Sequence, residues 1–378
     1  MLSPREALIT LNLIPGLGSV RIQSLLECFG SAELVLAAPA AMLAQVPRIG
    51  PALAAAIADW RNCTDAGAEL RAAEALGARL VVLTDDDYPA ALRCMSDPPM
   101  VLTVRGELAP RDGERGVALV GTRQATPYGL VQARRFGREL ADAGCTIISG
   151  LARGIDYAAH SGALDAGGRT IAVLGFGLGQ LGRSENAALA EAIAAGHGAL
   201  VSEFPLYRRP DRGTFPQRNR LVAAWARATM VVEAPLHSGA MLTAGLAAER
   251  YGRPVFALPG AAESRCSEGC HALIRDGAVL CSAPHELLDD LGWSGVPQQG
   301  DLFAEQRPRP QATTSRPEPL QPGSQEALLL RALEAGNDTV DLLCTALGLG
   351  ASVLTPLLLK LQIQHRVQPL PGARFRAL

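Results

Sequence analysis

Between Val117 and Leu258 six apolar runs recur with room for one helical segment between successive runs, and this alternation constrains the fold more than any other feature of the chain. The runs fall at 117–121, 145–149, 170–175, 198–202, 228–233 and 254–258. Val117-Ala118-Leu119-Val120 and Ile171-Ala172-Val173-Leu174 are apolar at every position, the pattern of strands covered on both faces. Strands alternating with helices build a doubly wound, mostly parallel α/β sheet. Ligands of such sheets bind in a crevice beyond the carboxyl ends of the strands.

The flanks have a different character. Residues 1–78 read as short helices at Pro4–Leu13, Val20–Phe29, Ala32–Ala37, Ala40–Gln45, Pro51–Asp59 and Cys63–Leu76. Two turns among them match, Ile14-Pro15-Gly16-Leu17-Gly18 and Val46-Pro47-Arg48-Ile49-Gly50, and resemble the helix-hairpin-helix repeat of sterile-alpha-motif-like (SAM-like) domains. Such turns serve either as tight packing corners or as phosphate contacts at a helix N-terminus. The segment from Leu80 to Val104 reads as a linker with two strand-like pieces, Leu80–Leu83 and Met100–Val104, and prolines between them that exclude helix. Residues 79–294 form the central domain. Proline, glutamine, arginine and serine mark 295–323 as a flexible linker, and 324–378 reads as a small winged helix with helices at 324–335, 338–347 and 351–364.

Composition narrows the classes. The apolar runs fall short of the roughly 18 residues that span a bilayer, and the first residues lack a basic segment leading into an apolar core. The expectation is a cytoplasmic protein without a membrane contact. Eight cysteines show no C-x-x-C spacing, and the cluster Cys266, Cys270, His271, Cys281 fits no standard metal module, so neither metal nor cofactor is expected. A net charge of −2 excludes a protein coated in positive charge for nucleic acid; any such site is local. One local patch exists. Between Glu203 and Arg220, five arginines (208, 209, 212, 218 and 220) stand against Glu203 and Asp211, a local charge of +3.

Polar and glycine residues gather at the strand ends. Gly121-Thr122-Arg123 follows the first strand, Gly150 to Asp156 the second, and Gly175-Phe176-Gly177-Leu178-Gly179 the third. Glycine-rich loops at helix starts expose backbone N–H groups to phosphate, and arginine adds a bidentate fork. Asp156 is expected to cap the following helix and His160 to be a packed histidine, with Glu203 and Glu233 neutralising nearby arginines. The stretch Gly177-Leu178-Gly179-Gln180-Leu181-Gly182 is also a literal G-x-G-x-x-G, with Glu203 about 20 residues on where a ribose-binding acid belongs. On pattern alone it allows a dinucleotide.

Taken in order, the motifs resemble the DprA/Smf family of DNA-processing proteins over nearly the whole chain. They are Tyr88-Pro89, Asp97-Pro98-Pro99, Gly121-Thr122-Arg123, Ser149 to Asp156 with His160, Ser202-Glu203, Ser238-Gly239 and Val255 to Gly260, with Phe215-Pro216-Gln217-Arg218-Asn219-Arg220 the most diagnostic. The resemblance implies an extended Rossmann-like central fold and a non-enzymatic mediator that binds incoming single-stranded DNA in natural transformation, protects it and helps load the RecA recombinase. It also implies a homodimer. The DNA-binding residues so implied are Gly121, Thr122, Arg123, Gly150, Arg153, Gly154, Gly177, Arg183, Asn186, Arg218, Asn219 and Arg220. Arg123, Arg218 and Arg220 lead that set. Arg183 stands in for a frequently basic position that is Ser184 here, and His271 replaces a usual asparagine. Phe215 or Tyr207 is available to stack a base. The alternative is a Rossmann-like nucleotide-binding or nucleotide-hydrolysing enzyme, which resembles the nucleoside-monophosphate phosphoribohydrolases; their Pro-Gly-Gly-x-Gly-Thr loop is absent.

Overall fold

The computed structural model describes residues 2–294, 324–335, 337–363, 366–370 and 374–377, so the linker assigned to 295–323 lies outside the described residues. The chain divides into two units, Met1–Gln298 and Gln299–Leu378.

The first unit opens with seven helices: α1 Pro4–Leu13, α2 Ser19–Phe29, α3 Ala32–Ala37, α4 Ala40–Leu43, α5 Pro51–Ala58, α6 Trp60–Cys63 and α7 Ala66–Ala75. The helix expected over Cys63–Leu76 is two helices. Thr64 is extended, and the Asp65 carboxylate accepts the Ala68 N–H to start α7 afresh. The two matching turns lead into α2 and α5. Arg21 clips them together, donating to Gly16 O at 2.6 Å and Arg48 O at 3.1 Å.

The rest of the unit alternates: β1 Ala78–Val82, α8 Ala90–Arg93, β2 Val101–Gly106, α9 Arg111–Glu114, β3 Gly116–Val120, α10 Pro127–Asp142, β4 Thr146–Ser149, α11 Ile155–Asp165, β5 Arg169–Val173, α12 Ala187–Ala192, β6 Gly198–Ser202, α13 Thr214–Trp225, β7 Ala228–Val231, α14 Gly239–Gly245, β8 Val255–Ala257, α15 Glu268–Arg275, β9 Val279–Leu280 and α16 Pro284–Asp290. These strands form one nine-stranded sheet in the order β1-β2-β6-β5-β4-β3-β7-β8-β9. It is parallel from β6 to β9. β2 joins β6 antiparallel and β1 joins β2 antiparallel, so the two strand-like pieces of the expected 80–104 linker form one edge of the sheet.

Side-chain alternation divides each strand between two cores. Val117 and Leu119 of β3 pack with Phe136, Leu140 and Ile155 on one face, while Ala118 and Val120 pack with Leu221 and Trp225 on the other. A third core fills the N-terminal helices and continues under Leu80, Val82, Val101, Ala172 and Leu200, so helices and sheet share it. From β3 the chain winds outward to β6 and then returns to β7 on the opposite side of β3. The winding direction therefore reverses beside β3, which opens a crevice at its carboxyl end.

The second unit holds helices α17 Gln325–Glu334, α18 Val340–Leu347 and α19 Ala351–Ile363, then an antiparallel pair, β10 Val367–Leu370 and β11 Arg374–Ala377.

His160 sits within the first unit's interior, fully buried on α11. The Thr170 hydroxyl donates to Ile147 O, so the 2.6 Å contact between His160 Nδ1 and Thr170 Oγ1 requires the imidazole to donate. Nε2 is left as a buried, unpartnered acceptor. Burial, with the Arg218 charge adding to it, pulls the imidazole down to about 3. A depressed histidine contributes stability that is present above its unfolded pKa of about 6.5 and is lost as pH falls towards the folded value. Urea-unfolding free energies should therefore decline from pH 6.5 downward by up to about 1.4 kcal/mol per unit from this residue, and His160→Gln should flatten that limb. An equally steep acid limb in the variant would contradict the assignment.

Candidate nucleic-acid interface

The crevice at the end of β3 encloses about 420 Å³. Its walls are the loops after β3 and β4, the first turns of α13, and the start of α14 at Ser238-Gly239. Beneath it lies Arg218.

Arg218 is 4% exposed. Its Nη1 donates to Gly150 O at 2.6 Å and also to Val173 O, while its Nε donates to the Asn219 side chain at 3.1 Å. One guanidinium thus ties α13 to the ends of β4 and β5. Burial lowers its pKa to about 10, with Arg123 adding repulsion and Asp156 opposing, so it stays charged at neutral pH. Gly150 is glycine because a Cβ there would overlap this guanidinium. Gly154, at φ +86°, is glycine because the second loop crosses Thr122 O there.

Asp156 does not cap its helix; Gly154 occupies the N-cap. The Asp156 carboxylate turns back to accept the N–H groups of Gly150 at 3.1 Å and Ala152 at 3.4 Å. Burial raises its pKa against the pull of Arg218 and those donors. The first loop is tied down too. The Thr122 N–H reaches Glu233 O, its hydroxyl accepts the Gln124 N–H, and its carbonyl accepts the Ile155 N–H. Several N–H groups that glycine-rich loops would offer to phosphate are therefore spent on the protein. Glu233 pairs with no arginine among the described residues: its carboxylate accepts the Thr126 N–H and hydroxyl at the start of α10.

The twelve sequence-derived residues separate on these contacts. Gly121, Thr122, Arg123, Gly150, Arg153, Arg218 and Asn219 line the crevice. Arg123 and Arg153 are exposed; the Arg153 Nε donates to Arg123 O, and the Arg123 guanidinium lies 4.6 Å from the Phe215 ring centre. Gly154 and Asn186 belong to an adjoining recess with Arg123 and Arg153, where the Asn186 side chain donates to Leu151 O. That bond holds Leu151 at φ +55°, an uncommon backbone state for a residue with a side chain.

Arg220, two residues from Arg218 on α13, faces elsewhere. It is 7% exposed, donates to Glu203 and to Asp97 O, and meets Arg21, Arg48 and the start of α2 in a separate cleft. Burial raises the Glu203 carboxyl to about 7 against the pull of Arg220. Of the five arginines in the basic stretch, only Arg208, Arg209 and Arg212 are exposed, and Arg208 pairs with Asp211. Arg183 is exposed at the end of a 3₁₀ turn, Leu178–Arg183, and lines neither the crevice nor its recess.

Gly177 is not at the crevice. Its N–H donates to Arg208 O at 2.9 Å, the Gly179 N–H to Leu206 O at 2.8 Å, and a Cβ at Gly177 would overlap the crossing 205–206 backbone. The G-x-G-x-x-G match is thus a packing corner without a free donor at either glycine. The site residues missed from sequence are Asp156 as an internal anchor and Ser238, whose hydroxyl is buried at the crevice wall without a partner. The adjacent Ser238-Gly239 pair after β7 was the available signal.

The family model for DNA recombination-mediator protein A matches residues 79–292. Over the full length the chain is 33% identical to Protein Smf of Synechocystis, covering 96% of each protein. It superposes on the crystal structure of DNA processing protein A from Streptococcus pneumoniae with a TM-score of 0.65 and 30% identity, over 76% of this chain and 98% of that one. A second structure, of the Helicobacter pylori DNA processing protein A and described for its single-stranded DNA binding mode, gives 0.50 and 32% over 56% and 95%.

Because Arg218 serves the interior, Arg218→Ala should cost about 3–5 kcal/mol of unfolding free energy by stranding two carbonyls and leaving Asp156 without its cation. Arg123→Ala, at the surface, should change it by about 0.5 kcal/mol or less. Equal stability of the two variants in urea titrations would remove Arg218 from this role.

Proposed function

The chain belongs to the DNA recombination-mediator protein A family, the DprA/Smf proteins, and from that premise we propose that it binds single-stranded DNA through backbone phosphates in the crevice, protects it, and helps load the RecA recombinase during natural transformation. The observation that carries this reading is the pair of exposed guanidiniums, Arg123 and Arg153, held on separate loops over a rigid floor. Arg153 secures the Arg123 backbone, and each side chain keeps donors for a phosphate. Three arginines against one aspartate line the crevice, which gives it positive charge within a chain of net charge −2. The single-stranded DNA binding described for the H. pylori relative supports the same reading.

A non-enzymatic role fits the site's titratable groups. Asp156, Glu203 and Glu233 are each committed to internal donors, and His160 is buried against Thr170. The dinucleotide alternative loses its best support with the Gly177 and Gly179 donors spent. No helix among the described residues is long and apolar enough to cross a membrane. We place the protein in the cytoplasm, where the proposed DNA ligand and recombinase partner would meet it. A homodimer is supported by β9, an edge strand whose Val279 and Leu280 are 40% and 52% exposed. The domain division at 1–78, 79–294 and 324–378 is part of the proposal. For the last segment we favour a winged helix used in protein contact over one that reads duplex DNA: Leu354, Leu358 and Leu361 of its third helix are buried in its own core, and Lys360 pairs with Glu326.

The test is fluorescence anisotropy with single-stranded and duplex oligonucleotides across a salt series. Affinity for the single strand should fall steeply with salt. Arg123→Ala and Arg153→Ala should each weaken binding about tenfold and reduce the log–log salt slope by about 0.7, the value for one single-strand phosphate contact. If both variants bind as the parent does, the site is misassigned.

A further inference from the structure

Arg123 and Arg153 have two sides. One faces the crevice; the other forms a wall of the adjoining recess, about 540 Å³, whose opposite side is Leu130 and Tyr157 with Glu185 and Asn186 at its edge. Tyr157 follows Asp156 on α11, one helical step round from the carboxylate that turns inward, so its ring stands at the surface beside the arginine ridge. It is 45% exposed and Leu130 is 39% exposed. Both residues stand partly open to water beside the two cations.

The other aromatics near the crevice are placed differently. The Arg123 guanidinium covers Phe215, and Tyr207, though 61% exposed, lines neither the crevice nor this recess. Tyr88 and Tyr128 are tied through their hydroxyls to Pro99 O and Pro259 O. Among the described aromatics, Tyr157 is the one that shares a recess with an apolar neighbour and with both rim arginines. That combination matches one ligand chemistry: a flat heteroaromatic ring attached to a phosphate chain.

We propose that this recess is a seat for an unstacked nucleobase. A strand whose phosphates rest on Arg123 and Arg153 turns one base over that ridge onto the Tyr157 ring, and Leu130 closes the apolar side. Every base has a π face, so the seat adds affinity without demanding sequence. The inference rests on the crevice being a single-stranded DNA grip, and it adds a base contact to a reading built on phosphates.

The experiment compares the wild-type protein with Tyr157→Ala, Tyr157→Leu and Tyr157→Phe, each titrated with a labelled oligothymidylate and with a fully abasic strand of the same length. The alanine and leucine variants should bind the oligothymidylate roughly 5- to 100-fold more weakly, and the phenylalanine variant should stay within about twofold of wild type. All four should bind the abasic strand alike, and their melting temperatures should agree, as expected for an exposed position. Unchanged oligothymidylate affinity in Tyr157→Ala overturns the seat. So does an equal weakening on both strands, which would place Tyr157 in contact with the backbone or in support of the loop. Failure of the wild type to bind either strand is a different result and removes the single-stranded DNA reading itself.

Discussion

The buried guanidinium of Arg218 is the contact on which the crevice depends. Carbonyl oxygens at the ends of two parallel strands, Gly150 and Val173, would otherwise be sealed under α13 without donors. A cation reaches both at once because its fork is planar and rigid. Burying that charge costs desolvation, which appears as its lowered pKa, and Asp156 on the next helix offsets part of the cost. The same carboxylate then fixes the Gly150 and Ala152 N–H groups. Strand ends, loop and two helices are thus locked by one charge pair that need not touch a ligand.

This lock divides the labour among the arginines. Arg218 and Asp156 leave the floor near neutrality, whereas Arg123 and Arg153 carry their charge at the rim in solvent. Arg220 is neutralised by Glu203 and by Asp97, which also pairs with Arg250. In the proposed reading a linear polyanion meets positive charge at the height of the rim, on exposed side chains. A rigid floor beneath exposed rim charges suits a ligand that varies in sequence and is uniform in its backbone.

The strands were legible because burial on both faces writes itself into consecutive apolar residues, and each of the six runs holds a strand of the sheet. Periodicity also separates Arg218 from Arg220. At 100° per residue, positions two apart on a helix point to opposite sides, so the two arginines of Arg218-Asn219-Arg220 cannot serve one crevice. Treating the stretch as a single basic patch summed charges that the helix then separates. The strand character of β1 and β2 was legible too, but their place in the sheet was not, because prolines and acidic residues separate the two and the antiparallel pairing of β2 with β6 depends on a partner far along the chain.

Glycine was the least legible signal. Gly150 admits a guanidinium, Gly154 lets one loop cross another at positive φ, and Gly177 passes under the 205–206 backbone. All three look alike in sequence, as glycine at a strand end, and a phosphate loop would look the same. What separates them is the destination of neighbouring N–H groups, which the sequence does not encode locally: Asp156 takes those of Gly150 and Ala152, and carbonyls of the 205–208 turn take those of Gly177 and Gly179. With these backbone donors satisfied internally, the proposed anion binding at the crevice falls to side chains. In that proposal arginine at the rim carries the task that glycine loops carry in dinucleotide folds.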